Sequence, residues 1–272
     1  MLPPELNLEI RCRLPSGAAR SHARSARPPL LFVHGGYCDG WCWEPYFLPY
    51  FAGQGYASHA LSLRGHGASG GHETLFVTSI DDYANDVLRV MATLPEPPVL
   101  IGHSMGAAII ERIQATQPIR AAALLAPVSP AGLLPIAARL ATRHPEFLLP
   151  IASSDPMELE DHVLDALRPF YFSPDVEPAI LFESIAHFGK ESTRALIDMS
   201  LRLHWDLLRH TDAPLLVMGA TGDQVCTPDE VIATAQHHGV EPTLLPGLAH
   251  VMMLERGWEA PARAISEWLA TV

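Results

Sequence analysis

A serine framed by two glycines, Gly102-His103-Ser104-Met105-Gly106, is the strongest chemical signal in the chain. It follows the apolar run Val99-Leu100-Ile101 and precedes a stretch with helical spacing, so Ser104 falls at a strand-to-helix turn. A turn that sharp strains its central residue, and side chains at the flanks would collide, which glycine avoids. The hydroxyl is thereby raised above the sheet at a helix N-terminus, where free N–H groups favour a developing anion. Serine is a poor nucleophile until a base takes its proton. Of 14 histidines, His250 in Pro246-Gly247-Leu248-Ala249-His250 is the candidate, because it follows the strand-like Thr243-Leu244-Leu245 and so shares a sheet edge with Ser104. His237 and His238 precede that strand, at the wrong edge, and His103 is expected to point elsewhere. A carboxylate must hold the imidazole tautomer and offset its charge. Asp223 leaves the strand Leu215–Met218 at the same edge, whereas Asp212 precedes it and falls at the opposite end. A turn at His34-Gly35-Gly36-Tyr37 can aim a backbone N–H at the point addressed by the N–H of Met105, giving two donors for an oxyanion. The glycine pair also suits a plain tight turn, and Asp223 a turn cap.

The elements that must position these residues alternate along the chain. Strands are expected at Asn7–Leu14 (one wet face), Leu30–Val33, Ala57–Leu63, Val99–Gly102, Ala121–Ala126, Leu215–Met218 and Thr243–Leu245. Ser79 caps a helix with Asp82 at the capping-box position, and Ile80, Tyr83, Val87, Met91 and Leu94 repeat at helical spacing. Further helices are expected at Met105–Gln117, stopped by Pro118, and at Trp258–Leu269. Strands and helices alternating at these distances predict a mostly parallel sheet with helices on both faces. Residues 127–212 break the rhythm. They hold helical stretches and many apolar side chains, among them Leu133, Leu134, Phe147, Leu148, Phe170, Tyr171, Phe172, Phe182, Phe188 and Trp205. This segment is expected to be a helical insertion over the C-terminal edge of the sheet, where side chains such as Phe170 and Phe172 could bury a ligand.

Composition narrows the partners. The 272 residues carry 18 basic and 30 acidic side chains, a net charge of −12, which argues against nucleic acid and anionic membranes. The most apolar window, Ala121–Ala138, is broken by Pro127, Pro130 and Pro135, so no stable membrane insertion is expected. Met1–Glu5 shows no secretory pattern, and Cys12, Cys38, Cys42 and Cys226 fit no zinc template, so four free thiols in a cytoplasmic protein are expected. No HExxH pattern or carboxylate cluster suggests a metal.

Taken together, these features resemble the α/β-hydrolase superfamily, in the branch with an HG-x oxyanion turn and a GHSMG nucleophile elbow. Residues 1–127 and 212–272 carry the resemblance. Arg64-Gly65-His66-Gly67-Ala68-Ser69 is similar to the family's RG-x-G-x-S turn, Gly222-Asp223 to its acid block, and Gly247-x-x-His250 followed by Glu255 to its base block. Many members carry Asp two residues before that arginine, where this chain has Ser62, a departure expected to lie away from the chemistry. The resemblance implies an α/β core (1–127 and 212–272) with a helical cap inserted at 128–211. It further implies Ser104 as nucleophile, His250 as general base and acid, Asp223 as orienting acid, and Gly36 and Met105 as oxyanion donors, with no metal or organic cofactor. Relatives with Asp at the elbow, such as epoxide hydrolases and haloalkane dehalogenases, are excluded by Ser104. The expected function is a serine carboxylesterase whose partner is a small to medium, apolar ester. A lactonase, thioesterase, amidase or C–C bond hydrolase with the same triad stays open, as do a lyase, a cofactor-free oxygenase, a slow-turnover ligand receptor, and a homodimer.

Overall fold

In the computed structural model, residues 6–16, 27–143, 168–201 and 213–272 are described. Their seven strands are β1 (Ile10–Arg13), β2 (Leu30–Val33), β3 (Ser58–Leu61), β4 (Val99–His103), β5 (Ala122–Leu125), β6 (Leu215–Ala220) and β7 (Pro242–Leu245). They form one sheet in the order β1-β3-β2-β4-β5-β6-β7. Only β1 is antiparallel, pairing with β3, and every other pair is parallel. The central strands are wholly buried and, but for His103 at the end of β4, apolar, as expected for a parallel sheet covered on both faces. β1, expected to have a wet and a dry face, is exposed along nearly its whole length because it is an edge strand.

Successive residues of β2 feed opposite layers. Leu30 and Phe32 pack on one side with Trp43, the helix α1 (Phe47–Gly53), and α8 (Glu259–Leu269). Here Phe32 meets the rings of Trp43, Phe47 and Phe51 at centroid distances of 5.1, 6.3 and 5.7 Å. Each such side chain contributes roughly 1.5–3 kcal/mol by burial. Leu31 and Val33 pack on the other side with α2 (Ile80–Thr93), α3 (Met105–Gln114) and α7 (Pro228–His238). The capping box at Ser79 and Asp82 is formed. α3 ends at Gln114, short of the expected Gln117, although Ala115 keeps a helical backbone and the Gln117 N–H still donates to Ile113 O at 3.0 Å just before Pro118. α1, α7 and two 3₁₀ turns, Gly40–Trp43 and His72–Val77, are additional to the expected elements.

Between β5 and β6 lie α4 (Leu133–Arg143), α5 (Pro178–His187) and α6 (Thr193–Leu201), with no strand among the described residues of this connection. Phe170 and Phe172 are buried in the core, whereas Phe182 and Leu134 are exposed. Phe147, Leu148, Trp205 and Asp212 lie outside the described residues. No described helix is long and apolar enough to cross a membrane.

Candidate active site

Because β2, β4, β6 and β7 run parallel, the loops that leave them open at one edge of the sheet. Those loops carry Gly36, Ser104, Asp223 and His250. Ser104 has φ 51° and ψ −115°, a left-handed strain for a residue with a side chain, and Met105 opens α3 immediately after it. The strain is held by the Ser104 N–H donating to Leu125 O at 2.9 Å and its carbonyl accepting from Ala107 at 3.0 Å. Close approach explains the flanking glycines. A Cβ on Gly106 would stand 2.3 Å from Val33 O, and one on Gly102 would stand 2.5 Å from Gly106 O. The N–H of Met105 belongs to the first turn of α3, where no backbone carbonyl within the helix can accept it.

His250 and Asp223 meet as the spacing suggested. Nδ1 of His250 donates to Asp223 Oδ2 at 2.8 Å, and both side chains are buried. The second oxygen, Oδ1, accepts the N–H groups of Val225 and Cys226 at 2.8 and 2.9 Å. The Asp223 carboxylate thus holds a turn and hydrogen-bonds the His250 ring at the same time. With the proton on Nδ1, the lone pair of a neutral His250 ring is left on Nε2. Gly35, Gly36, Ser104 and His250 line one cleft, partly open to solvent.

His103 does not point elsewhere. It shares a face of β4 with Ile101, lines the cleft, and its Nε2–H donates to the His250 carbonyl at 2.9 Å. Burial, reinforced by the neighbouring His250, keeps its pKa well below the ordinary histidine value, so the ring is neutral. Nor do Phe170 and Phe172 face a ligand. The residue between them, Tyr171, lines the cleft with Phe188, its ring 5.9 Å from that of His250. The Tyr171 carbonyl also accepts the N–H of Val251 at 2.9 Å, tying the β5–β6 connection to the His250 loop. Glu255 does the same lower down, accepting Ser173 N–H at 2.7 Å and the Ser173 hydroxyl. His238 closes α7 away from the cleft and pairs with Glu111 at 2.8 Å.

The turn after β2 is held by groups that no motif revealed. Tyr37 has φ 65°, and both sides of its backbone are tied to residues 189–191: its N–H donates to Glu191 Oε2 at 3.2 Å and its carbonyl accepts Gly189 N–H at 2.8 Å. The buried Glu191 carboxylate also accepts from Tyr83 Oη at 2.7 Å, Ser192 N at 2.6 Å and His66 Nε2 at 3.2 Å. Nδ1 of His66 lies 3.0 Å from Arg64 O, so both its nitrogens face acceptors, as an imidazolium requires. Burial opposes charge on each partner, but their mutual attraction outweighs it, raising His66 and lowering Glu191. Next to them His34 is driven the other way. Burial first, and the charge of His66 second, depress it to about 4. It remains neutral, with Nε2 accepting Leu63 N–H at 3.0 Å. Glu191 lies 125 residues from His66, and only long-range contact joins them.

Ser62, where the resembled family carries Asp, donates to Glu9 Oε2 at 2.6 Å and accepts Gly40 N–H at 3.1 Å. A carboxylate is therefore present, supplied by the segment leading into β1. All four cysteine sulfurs are unpaired. No group of three or more His, Cys, Asp or Glu among the described residues is arranged to hold a metal ion.

A family model described as the alpha/beta hydrolase family matches residues 30–264. The pyrethroid hydrolase of Sphingobium wenxiniae is 28% identical over 141 residues, 52% of this chain and 46% of that protein, so the match spans under half of the relative's length. Among solved structures, the enol-lactonase from Burkholderia xenovorans superposes with a TM-score of 0.71 at 21% identity, covering 97% of each chain. The esterase from Exiguobacterium antarcticum gives 0.73 at 15% identity over 97% of this chain and 96% of that one. The thermophilic esterase from Thermogutta terrifontis gives 0.71 at 18% identity over 100% and 96%. At these identities the structural likenesses show the fold.

Proposed function

The chain belongs to the alpha/beta hydrolase family, and from that premise we propose that it is a serine hydrolase that cleaves carboxylic esters through an acyl-enzyme on Ser104. The observation that carries this reading is the convergence of Ser104 with the buried, hydrogen-bonded His250–Asp223 pair in one cleft. His250 Nε2 takes the Ser104 proton as Oγ attacks the ester carbonyl. The N–H groups of Gly36 and Met105 stabilise the resulting oxyanion, each donor worth roughly 3 kcal/mol in comparable sites. Asp223 keeps the proton of the ring on Nδ1 and offsets the imidazolium charge. The tetrahedral intermediate then collapses, and His250 passes its proton to the departing alcohol. Water then gives a proton to the same nitrogen as its oxygen attacks the acyl carbon, and the second tetrahedral intermediate expels Ser104 Oγ, which takes that proton back as the acid is released.

Tyr171, Phe188, Val251 and Leu254 give the cleft apolar walls suited to a small or medium ester. The ester-cleaving relatives named above support the same bond type. Residues 128–211 are read as a cap over the core formed by 1–127 and 212–272. A cytoplasmic enzyme with a small-molecule partner is the matching picture, and the four unpaired thiols suit a reducing compartment.

The test compares wild type and Ser104→Ala on short and medium p-nitrophenyl esters. Turnover by the wild type, lost in the variant, is expected. Equal turnover in both would remove Ser104 from the reaction and favour chemistry in which His250 acts without acylation.

A further inference from the structure

A second histidine–aspartate pair, which the acyl-transfer steps leave unused, presents its histidine to the cleft. His187 ends α5, and its Nδ1 donates to Asp39 Oδ2 at 2.9 Å. Its ring lies flat on Trp41, with centroids 4.4 Å apart and planes within 4°. The other oxygen of the nearly buried Asp39 accepts Trp41 N–H at 2.7 Å. Two side chains of the 39–41 segment, Asp39 and Trp41, thus fix the imidazole of a distant one before any ligand arrives, so little ordering cost remains for binding. His187 and Trp41 line the same cleft as Ser104 and His250.

A carboxylate only accepts, so Nδ1 of His187 carries a proton, and a ring holding that one proton keeps its lone pair on Nε2. Nε2 has no hydrogen-bond partner among the described residues. The Asp39 carboxylate beside it disfavours an anion, and of its neighbours on the cleft wall Phe188 and Leu254 are apolar while the Ser184 hydroxyl is committed to the Ile180 carbonyl. What fits is a neutral hydrogen-bond donor.

We propose that His187, held by Asp39 and Trp41, is the polar anchor of the substrate pocket, its Nε2 accepting a hydrogen bond from a hydroxyl that the ester carries away from its scissile carbonyl. The inference rests on the esterase reading and narrows its substrate class to hydroxyl-bearing esters. His187 takes no part in bond making; it positions the substrate.

The experiment uses p-nitrophenyl esters in matched sets, with a hydroxyl, a methoxy group or hydrogen placed at successive positions along the acyl chain. A hydroxyl donates and a methoxy group only accepts. The wild type should prefer the best hydroxyl ester over its methoxy counterpart by about three- to tenfold in kcat/KM, the range of one neutral hydrogen bond. His187→Phe keeps a ring to stack on Trp41 without its nitrogens, and should bring the ratio to about one. In Asp39→Asn the amide donates to Nδ1 and moves the ring proton to Nε2, so the preference for the donor should also vanish. The ratio is taken within each variant, so a general loss of rate divides out, and fluorophosphonate labelling of Ser104 reports that the variant is folded. A wild-type ratio of one, or a ratio kept in both variants, overturns the proposal while leaving the esterase reading intact. A preference for carboxylate-bearing esters that disappears in His187→Phe overturns it in favour of an anion site. Absence of both ester turnover and labelling in the wild type defeats the esterase reading, and this inference with it.

Discussion

Replacing Glu191 by Gln tests whether a buried charge pair holds the turn that carries Gly36. The carboxylate accepts four hydrogen bonds, from Tyr83, Ser192, His66 and Tyr37. An amide has one acceptor oxygen. If that oxygen stays with Tyr83 and Ser192, the NH₂ group faces His66 and Tyr37. His66 can adapt by losing its Nε2 proton and accepting, because Nδ1 still donates to Arg64 O. The Tyr37 N–H cannot adapt and is left unsatisfied, which costs about 1–3 kcal/mol. For a chain of this length that corresponds to a fall in Tm of roughly 2–5 °C. The sign of the pH dependence follows from the two shifts. His66 is raised in the folded state, so its contribution is full below its unfolded value of about 6.5 and fades as pH rises through the folded one. Glu191 is lowered, so its contribution is present above its unfolded value of about 4.5 and fades as pH falls through the folded one. The gap in Tm between wild type and Glu191→Gln should therefore be widest between about pH 4.5 and 6.5 and shrink in alkali. On the proposed mechanism, in which the Gly36 N–H of this turn acts on the oxyanion, ester kinetics should show a lower kcat with little change in KM. Thermal melts and initial rates across pH measure both. A gap that grows towards alkaline pH, or a loss confined to KM, would refute the reasoning.

Three further outcomes are expected. Asp223→Asn should lower kcat on the order of 10⁴-fold, because the amide donates to Nδ1 and moves the ring proton to Nε2; kcat within tenfold of wild type would show that Asp223 does not set the tautomer. Gly106→Ala puts a Cβ 2.3 Å from Val33 O, a clash with backbone that should cost on the order of 2 kcal/mol or more and slow fluorophosphonate labelling of Ser104; an unchanged melt would refute the close approach. Between pH 6.5 and about 4 the stability should fall, because buried His34 stays neutral in the folded state while it takes a proton when unfolded, and the fall should be shallower in His34→Asn than in wild type.

The parts of the site legible in the sequence were those fixed by local backbone chemistry. The elbow at Ser104 needs glycines next to it in the chain, and the edge assignments of Asp223 and His250 need only the parallel sense of the strands. The surrounding shell was not legible, because long-range packing builds it. Glu191 meets His66 and Tyr37 across more than a hundred residues, and nothing near Glu191 marks it as more than a surface carboxylate. The same holds for Asp39 and His187. The turn alone suggests that His103 points elsewhere, whereas the strand period puts it on the Ile101 face, towards the His250 loop. Tyr171 was one of several aromatic residues between β5 and β6, and only the fold separates it, facing the cleft, from buried Phe170 and Phe172. Ser62 was read as a departure away from the chemistry, and Glu9 supplies the carboxylate there from a segment with no motif of its own.

The most direct test of the account is the site of covalent modification. Wild type and Ser104→Ala are each treated with a fluorophosphonate, and intact mass is followed by peptide mapping. The account predicts a single adduct on Ser104 in the wild type and none in the variant. A wild type that takes no adduct, or an adduct that persists in Ser104→Ala, would contradict it.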